Sequence, residues 1–138
     1  MAIQVGTLLA KSPMMKAFLT YSLFVFILGS FAFTSINEVV NGLKTGNASK
    51  LSKYFDNTID ITLSDKSNSY SKSQAELVLK DFFYTTGVVN FEVIHTGDNS
   101  GSQYLIGNLQ THKGTYRTTI YIKQKADRQV LQELRFER

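Results

Sequence analysis

Apolar and polar residues follow three different rhythms along this chain. From Ala17 to Phe33 (AFLTYSLFVFILGSFAF) nearly every position is apolar, and no residue between Lys16 and Glu38 is charged. Ile36, Val39, Val40 and Leu43 then recur at helical spacing, with Ser35 and Glu38 placed as a capping box. Gly46 stops that helix. Asn47 can cap a second, short one carrying Ala48, Leu51 and Phe55 on one stripe, with Asp56 and Asn57 ending it. From Thr58 to Ser64 the period changes to two, with Ile59, Ile61 and Leu63 opposite Asp60, Thr62 and Ser64, which predicts a half-buried strand. The polar run Asp65 to Ser69 predicts a turn.

Helical spacing returns at Ala75, Val78, Leu79, Phe82 and Phe83, capped by Ser71 with Gln74 or by Ser73 with Glu76 and ended by Gly87. A stripe with two adjacent aromatics needs a sheet to lie on. Four strand-like segments follow: Val88 to Thr96, Ser102 to His112, Thr115 to Gln124 and Gln129 to Glu137. The connections Asp98 to Gly101, Lys113-Gly114 and Asp127-Arg128 are short enough for hairpins, so these strands should form an antiparallel meander.

The uncharged run predicts export. Lys16, the apolar core and Ser30-Phe31-Ala32 follow the order of a secretory leader, with the cut after Ala32, so residues 1–32 are read as signal peptide and 33–138 as one domain. Met14-Met15-Lys16 would make a more compact start, so Met14 or Met15 is an alternative first residue to Met1. The alternative is an uncleaved anchor, since Ala17 to Asn37 is nearly long enough to span a membrane. Contact with a membrane is expected only if the leader is retained.

The element order, two helices, one or two short strands, a long helix and four long antiparallel strands, resembles the cone-shaped nuclear transport factor 2-like, or cystatin-like, superfold. The expected class is therefore α+β, with helices packed on a curved antiparallel sheet. The segments YFDNTIDITLSDK, YSKSQAELVLKDFF, FEVIHTG, YLIGNLQT, GTYRTTIYIK and LQELRFE resemble a family of small exported bacterial domains known by a domain-of-unknown-function label. That resemblance carries no catalytic residues to transfer, and the fold hosts isomerases, dehydratases, carriers and interaction modules alike.

Composition narrows the chemistry. The formal net charge of +4 falls to +2 once Lys11 and Lys16 leave with the leader, which is no nucleic-acid signature. Cysteine is absent, so disulfides, thiolate metal sites and a Cys nucleophile are excluded. Two distant histidines, His95 and His112, give no metal-ligand spacing, and no cofactor motif occurs. The late basic residues, Lys113, Arg117, Lys123, Lys125, Arg128 and Arg135, are interrupted by acids and read as a solvated sheet face.

Polar residues on otherwise apolar strand faces remain as candidates. His95 follows Phe91 and Val93, Thr118 lies between Tyr116 and Ile120, and Gln132 lies between Val130 and Leu134. With Tyr104 and Tyr116 they make the candidate ligand-binding set, inside the cone, although hydrogen bonds to one another or to backbone explain them equally well. No catalytic residue is assigned: Asp60, Asp81, Glu92 and Glu133 all fall on polar faces, and an acid in water is not tuned for proton transfer. The expectation is an exported, non-catalytic domain that binds a small apolar molecule or a protein, with a homodimer through the sheet as one arrangement. The alternatives are a cone-pocket isomerase or dehydratase and, more remotely, a cystatin-like protease inhibitor using Gln103 to Gly107.

Overall fold

A computed structural model describes residues 34–138, with side chains from residue 36. The predicted leader, its cut after Ala32, the start at Met14 or Met15 and the side chain of Ser35 lie outside the described residues. Helix α1 (Thr34–Lys44) buries Val39 and Leu43 and half-buries Ile36 and Val40, the predicted stripe. Glu38, assigned to the capping box, pairs with Lys50 at 3.1 Å. The helix ends in a Schellman motif: Gly46 is left-handed at φ 61°, its N–H reaches the Leu43 carbonyl, and Asn47 N–H donates to the Gly42 carbonyl at 2.8 Å. Asn47 then caps α2 (Ala48–Ser52), its side chain accepting from Lys50 N–H at 3.0 Å.

Strand β1 (Phe55–Leu63) starts earlier than its period-two signature suggests, so Phe55 belongs to the strand and not to the helical stripe. The polar run expected to turn is instead β2 (Lys66–Ser71), antiparallel to β1. It can be polar because it is an edge strand with most residues exposed, and polar residues with a lysine discourage further pairing there. Ser71 and Gln74 form the capping box of α3 (Lys72–Thr86), and Gly87 closes it at φ 70° with its N–H on the Phe83 carbonyl.

The meander is present as β3 (Val88–Asn99), β4 (Ser102–Thr111), β5 (Gly114–Lys125) and β6 (Arg128–Glu137). The six strands form one curved sheet in the order β2-β1-β6-β5-β4-β3, not closed into a barrel. One neighbouring pair, β1 with β6, runs parallel. Register shifts leave Val89 and Ile94 extra on β3 and Gln132 extra on β6, and bulges of this kind bend a strand and turn the side chains beyond them to the other face.

Residues Ser35–Arg138 form one compact unit. The face of the sheet covered by the helices carries Ile59, Ile61, Leu134, Phe136, Tyr116, Ile120, Leu105, Leu109 and Phe91, all buried. Phe82 packs on Tyr116 and Phe136 at centroid distances of 5.2 and 4.9 Å, and Phe83 meets Phe136 edge-on at 6.1 Å. Each such aromatic removes enough apolar surface from water to contribute about 1.5–3 kcal/mol.

Candidate functional site

The bulge at Ile94 decides where His95 points. Phe91 and Val93 pair with Leu109 and Gly107 on the helix-covered face, and the extra residue then shifts the phase, so that Thr96 takes that face and His95 the opposite one. His95 is exposed on the open face, and its Nε2 shares a 3.2 Å hydrogen bond with the Tyr104 hydroxyl. The Tyr104 ring lies over Gly97, its register partner, where a Cβ would collide with the ring. Glycine at this position lets the aromatic lie flat on the strand. Tyr104 also pairs with Tyr121 of β5, which is 42% exposed.

Beside Tyr121 is a half-open recess of about 230 Å3 on the open face, lined by Asp60, Ser102, Tyr121, Ile122, Lys123, Gln132 and Glu133. Asp60 and Glu133 are register partners on the parallel pair β1 and β6. Asp60 Oδ1 accepts from the Ser69 hydroxyl, and Glu133 Oε1 accepts from Arg135 Nε. Gln132, the bulged residue, donates through Nε2 to Asp56 Oδ2 at 3.2 Å, and Lys125 Nζ donates to the same oxygen at 2.6 Å. Asp56 is buried, 8% exposed, and its other oxygen accepts from the Asn57 N–H at 2.8 Å. The Lys125 hydrogen bond, aided by Asn57 and Gln132, outweighs the cost of burial and holds the Asp56 carboxyl at about 2 against an ordinary 3.8.

The structure therefore divides the predicted set. His95 and Tyr104 come together on the open face, and Gln132 stands at the recess there, not on the covered face its alternation suggests. Tyr116 is core, packed on Phe82 with the Arg138 guanidinium 4.8 Å above its ring. Thr118 is fully buried, and its hydroxyl donates to the Tyr116 carbonyl at 3.2 Å. Gln103 to Gly107 lies within β4 and not at the hairpin tip. Among the described residues, no group of three or more His, Asp or Glu is gathered to hold a metal ion.

Two contributors escaped the sequence reading. Asp56 looks like a residue ending a helix, and only the early start of β1 brings it to Lys125 and Gln132. Tyr121 had a signal: an aromatic between Arg117 and Lys123 on the polar side of β5 has no core to enter.

A curved six-stranded sheet packed against a few helices and not closed into a barrel defines a nuclear transport factor 2-like domain. The chain is similar in fold to a protein of that type from Cytophaga hutchinsonii, of unknown function, with 10% identity over 73% of this chain and 83% of that one and a TM-score of 0.55. Residues 36–137 match the family described as Domain of unknown function (DUF4783), and the chain belongs to that family. A DUF4783 protein from Bacteroides uniformis shares 28% identity over 74% of this chain and 94% of its own, with a TM-score of 0.71. One from Bacteroides ovatus shares 26% over 73% and 92%, with a TM-score of 0.72. No curated protein matches the chain.

Proposed function

We propose that the chain is an exported, non-catalytic binding domain, and that it engages its ligand or partner through the open face of the sheet around His95, Tyr104 and Tyr121. The observation that carries this reading is the placement of aromatic residues. On the covered face Phe82, Tyr116 and Phe136 pack ring against ring as part of the core. On the open face Tyr121 stands 42% exposed beside a recess and pairs across the strands with Tyr104, so its ring is available to a ligand in a way the covered rings are not. Export rests on the uncharged run from Ala17 to Asn37 and the small side chains at Ser30 and Ala32.

Both halves are open to test in the native cell. Fractionation followed by N-terminal sequencing should find the protein outside the cytoplasm, beginning at Phe33; an intact Met1, Met14 or Met15 terminus in the cytoplasm would end the export reading. Mass spectrometry of species that co-purify from the envelope should be repeated with a Tyr104→Ala/Tyr121→Ala double variant. A species held by the native chain and lost by the folded double variant supports the open face. One retained equally by both places the site elsewhere.

A further inference from the structure

The recess beside Tyr121 has the chemistry to choose a class of ligand, and the inference drawn from it rests on the open-face reading above. We infer that it is a subsite for one ring of a neutral saccharide. Three observations converge on that class. First, Tyr121 provides a partly exposed aromatic ring, 42% accessible, on an interior strand of the sheet, and the C–H face of a sugar ring packs on aromatic surface while its hydroxyls turn to the rim. Second, the rim is built from planar groups that hydrogen-bond pairs of hydroxyls. Asp60 and Glu133 each have an oxygen beyond the one taken by Ser69 or Arg135, and Gln132 keeps its amide oxygen while its Nε2 is committed to Asp56. Third, the charges nearly balance: Asp60 and Glu133 in the lining face Lys123, and Glu133 is also paired with Arg135 beside the recess, so little excess sign is left with which to select an ion.

Size and order agree with this. About 230 Å3 is below the roughly 300–1,000 Å3 of pockets that enclose drug-sized ligands, and a half-open recess suits one ring of a longer chain. The rim is also held in advance. Gln132 is fixed by the bulge that makes it the extra residue of β6 and by its bond to Asp56, itself clamped by Lys125. Ligand binding therefore orders few side chains at this end.

The test is heteronuclear NMR titration of the purified full-length chain with maltotriose, cellotriose and tri-N-acetylchitotriose, up to about 20 mM, the range for a single shallow subsite. At least one trisaccharide should give saturable shifts at Tyr121, Lys123, Gln132 and Ser102. Tyr121→Leu, which keeps apolar bulk but loses the ring, should weaken that sugar about tenfold, whereas Tyr121→Trp should hold or tighten it. Amide dispersion of each variant reports folding in the same spectra. Absence of shifts with all three sugars, or equal affinity of the folded Tyr121→Leu variant, overturns the inference. If only spermidine or sulfate, added as charged controls, moves the recess, the saccharide class falls while the open face stands as a site. Sugar shifts confined to the helix-covered face would overturn both readings together.

Discussion

Strand β5 compares the two faces of this sheet within a single run of residues. Tyr116, Thr118, Ile120 and Ile122 point to the helix-covered side and are all buried; Arg117, Thr119, Tyr121 and Lys123 point to the open side, and only Thr119 is partly shielded. The covered residues have many mutually dependent neighbours, so any change there is felt by folding. The open residues have few, and their side chains are free to be selected for recognition. The comparison thus separates substitutions that should unfold the domain from substitutions that should leave its folding largely intact.

The largest effect is expected at Phe136. It is fully buried and touches both Phe82 and Phe83, so Phe136→Ala removes a shared partner and leaves a cavity that three elements cannot easily close. A loss of about 3–5 kcal/mol in chemical denaturation is expected; a loss below about 1 kcal/mol would mean that the aromatic cluster is not packed as described.

Glycine gives a sharper contrast, because the same small substitution can be made on each face. A Cβ at Gly107 would intrude on the Phe91 ring and lie 2.5 Å from the Glu92 carbonyl oxygen, and backbone of a paired strand cannot move aside. Gly107→Ala should cost about 2–3 kcal/mol. At Gly97 the obstacle is the far end of the Tyr104 side chain, which is only partly buried and can swing away. Gly97→Ala should cost under about 1 kcal/mol and separate Tyr104 from His95, visible as changed ring resonances for both. Equal denaturation midpoints for the two variants would break the comparison.

Asp56 lies between these extremes, buried but serving the open face through Gln132. Its folded-state value of about 2 is below the ordinary 3.8, so the carboxylate contributes stability that is present above about pH 4 and is lost as pH falls toward 2. Lys125 is 48% exposed, which moderates the gain. The native chain should exceed Asp56→Asn by about 1–2 kcal/mol at neutral pH, with most of the difference lost by about pH 2 and the remainder only below it. A difference independent of pH would assign the effect to packing alone.

Periodicity and caps were readable because they depend on neighbours in sequence. The α3 stripe, its Gly87 stop and the four-strand meander follow from such local patterns, while only the fold selects Ser71–Gln74 over Ser73–Glu76 as its capping box. Strand β2 was not readable as a strand, since its stability comes from β1 and its composition from being an edge. The parallel pairing of β1 with β6 joins chain segments with no hairpin signal between them. The candidate site was half legible for the same reason. His95 and Tyr104 stood out as polar groups near apolar ones, but one-residue bulges at Ile94 and Gln132 altered the alternation, and a bulge leaves no mark in a hydrophobic pattern.

The smallest expected effect is the most exacting check on the open face. Tyr104→Phe deletes only the hydroxyl that meets His95 at 3.2 Å, leaving the ring over Gly97. Since His95 is exposed, water replaces the lost partner, and the exchange should move stability by less than about 0.5 kcal/mol. The His95 ring protons should nevertheless shift, because their neighbour has changed. A stability loss above about 1 kcal/mol would show that this pair helps hold the β3–β4 hairpin together, and would give the open face a share in folding that its exposure does not suggest.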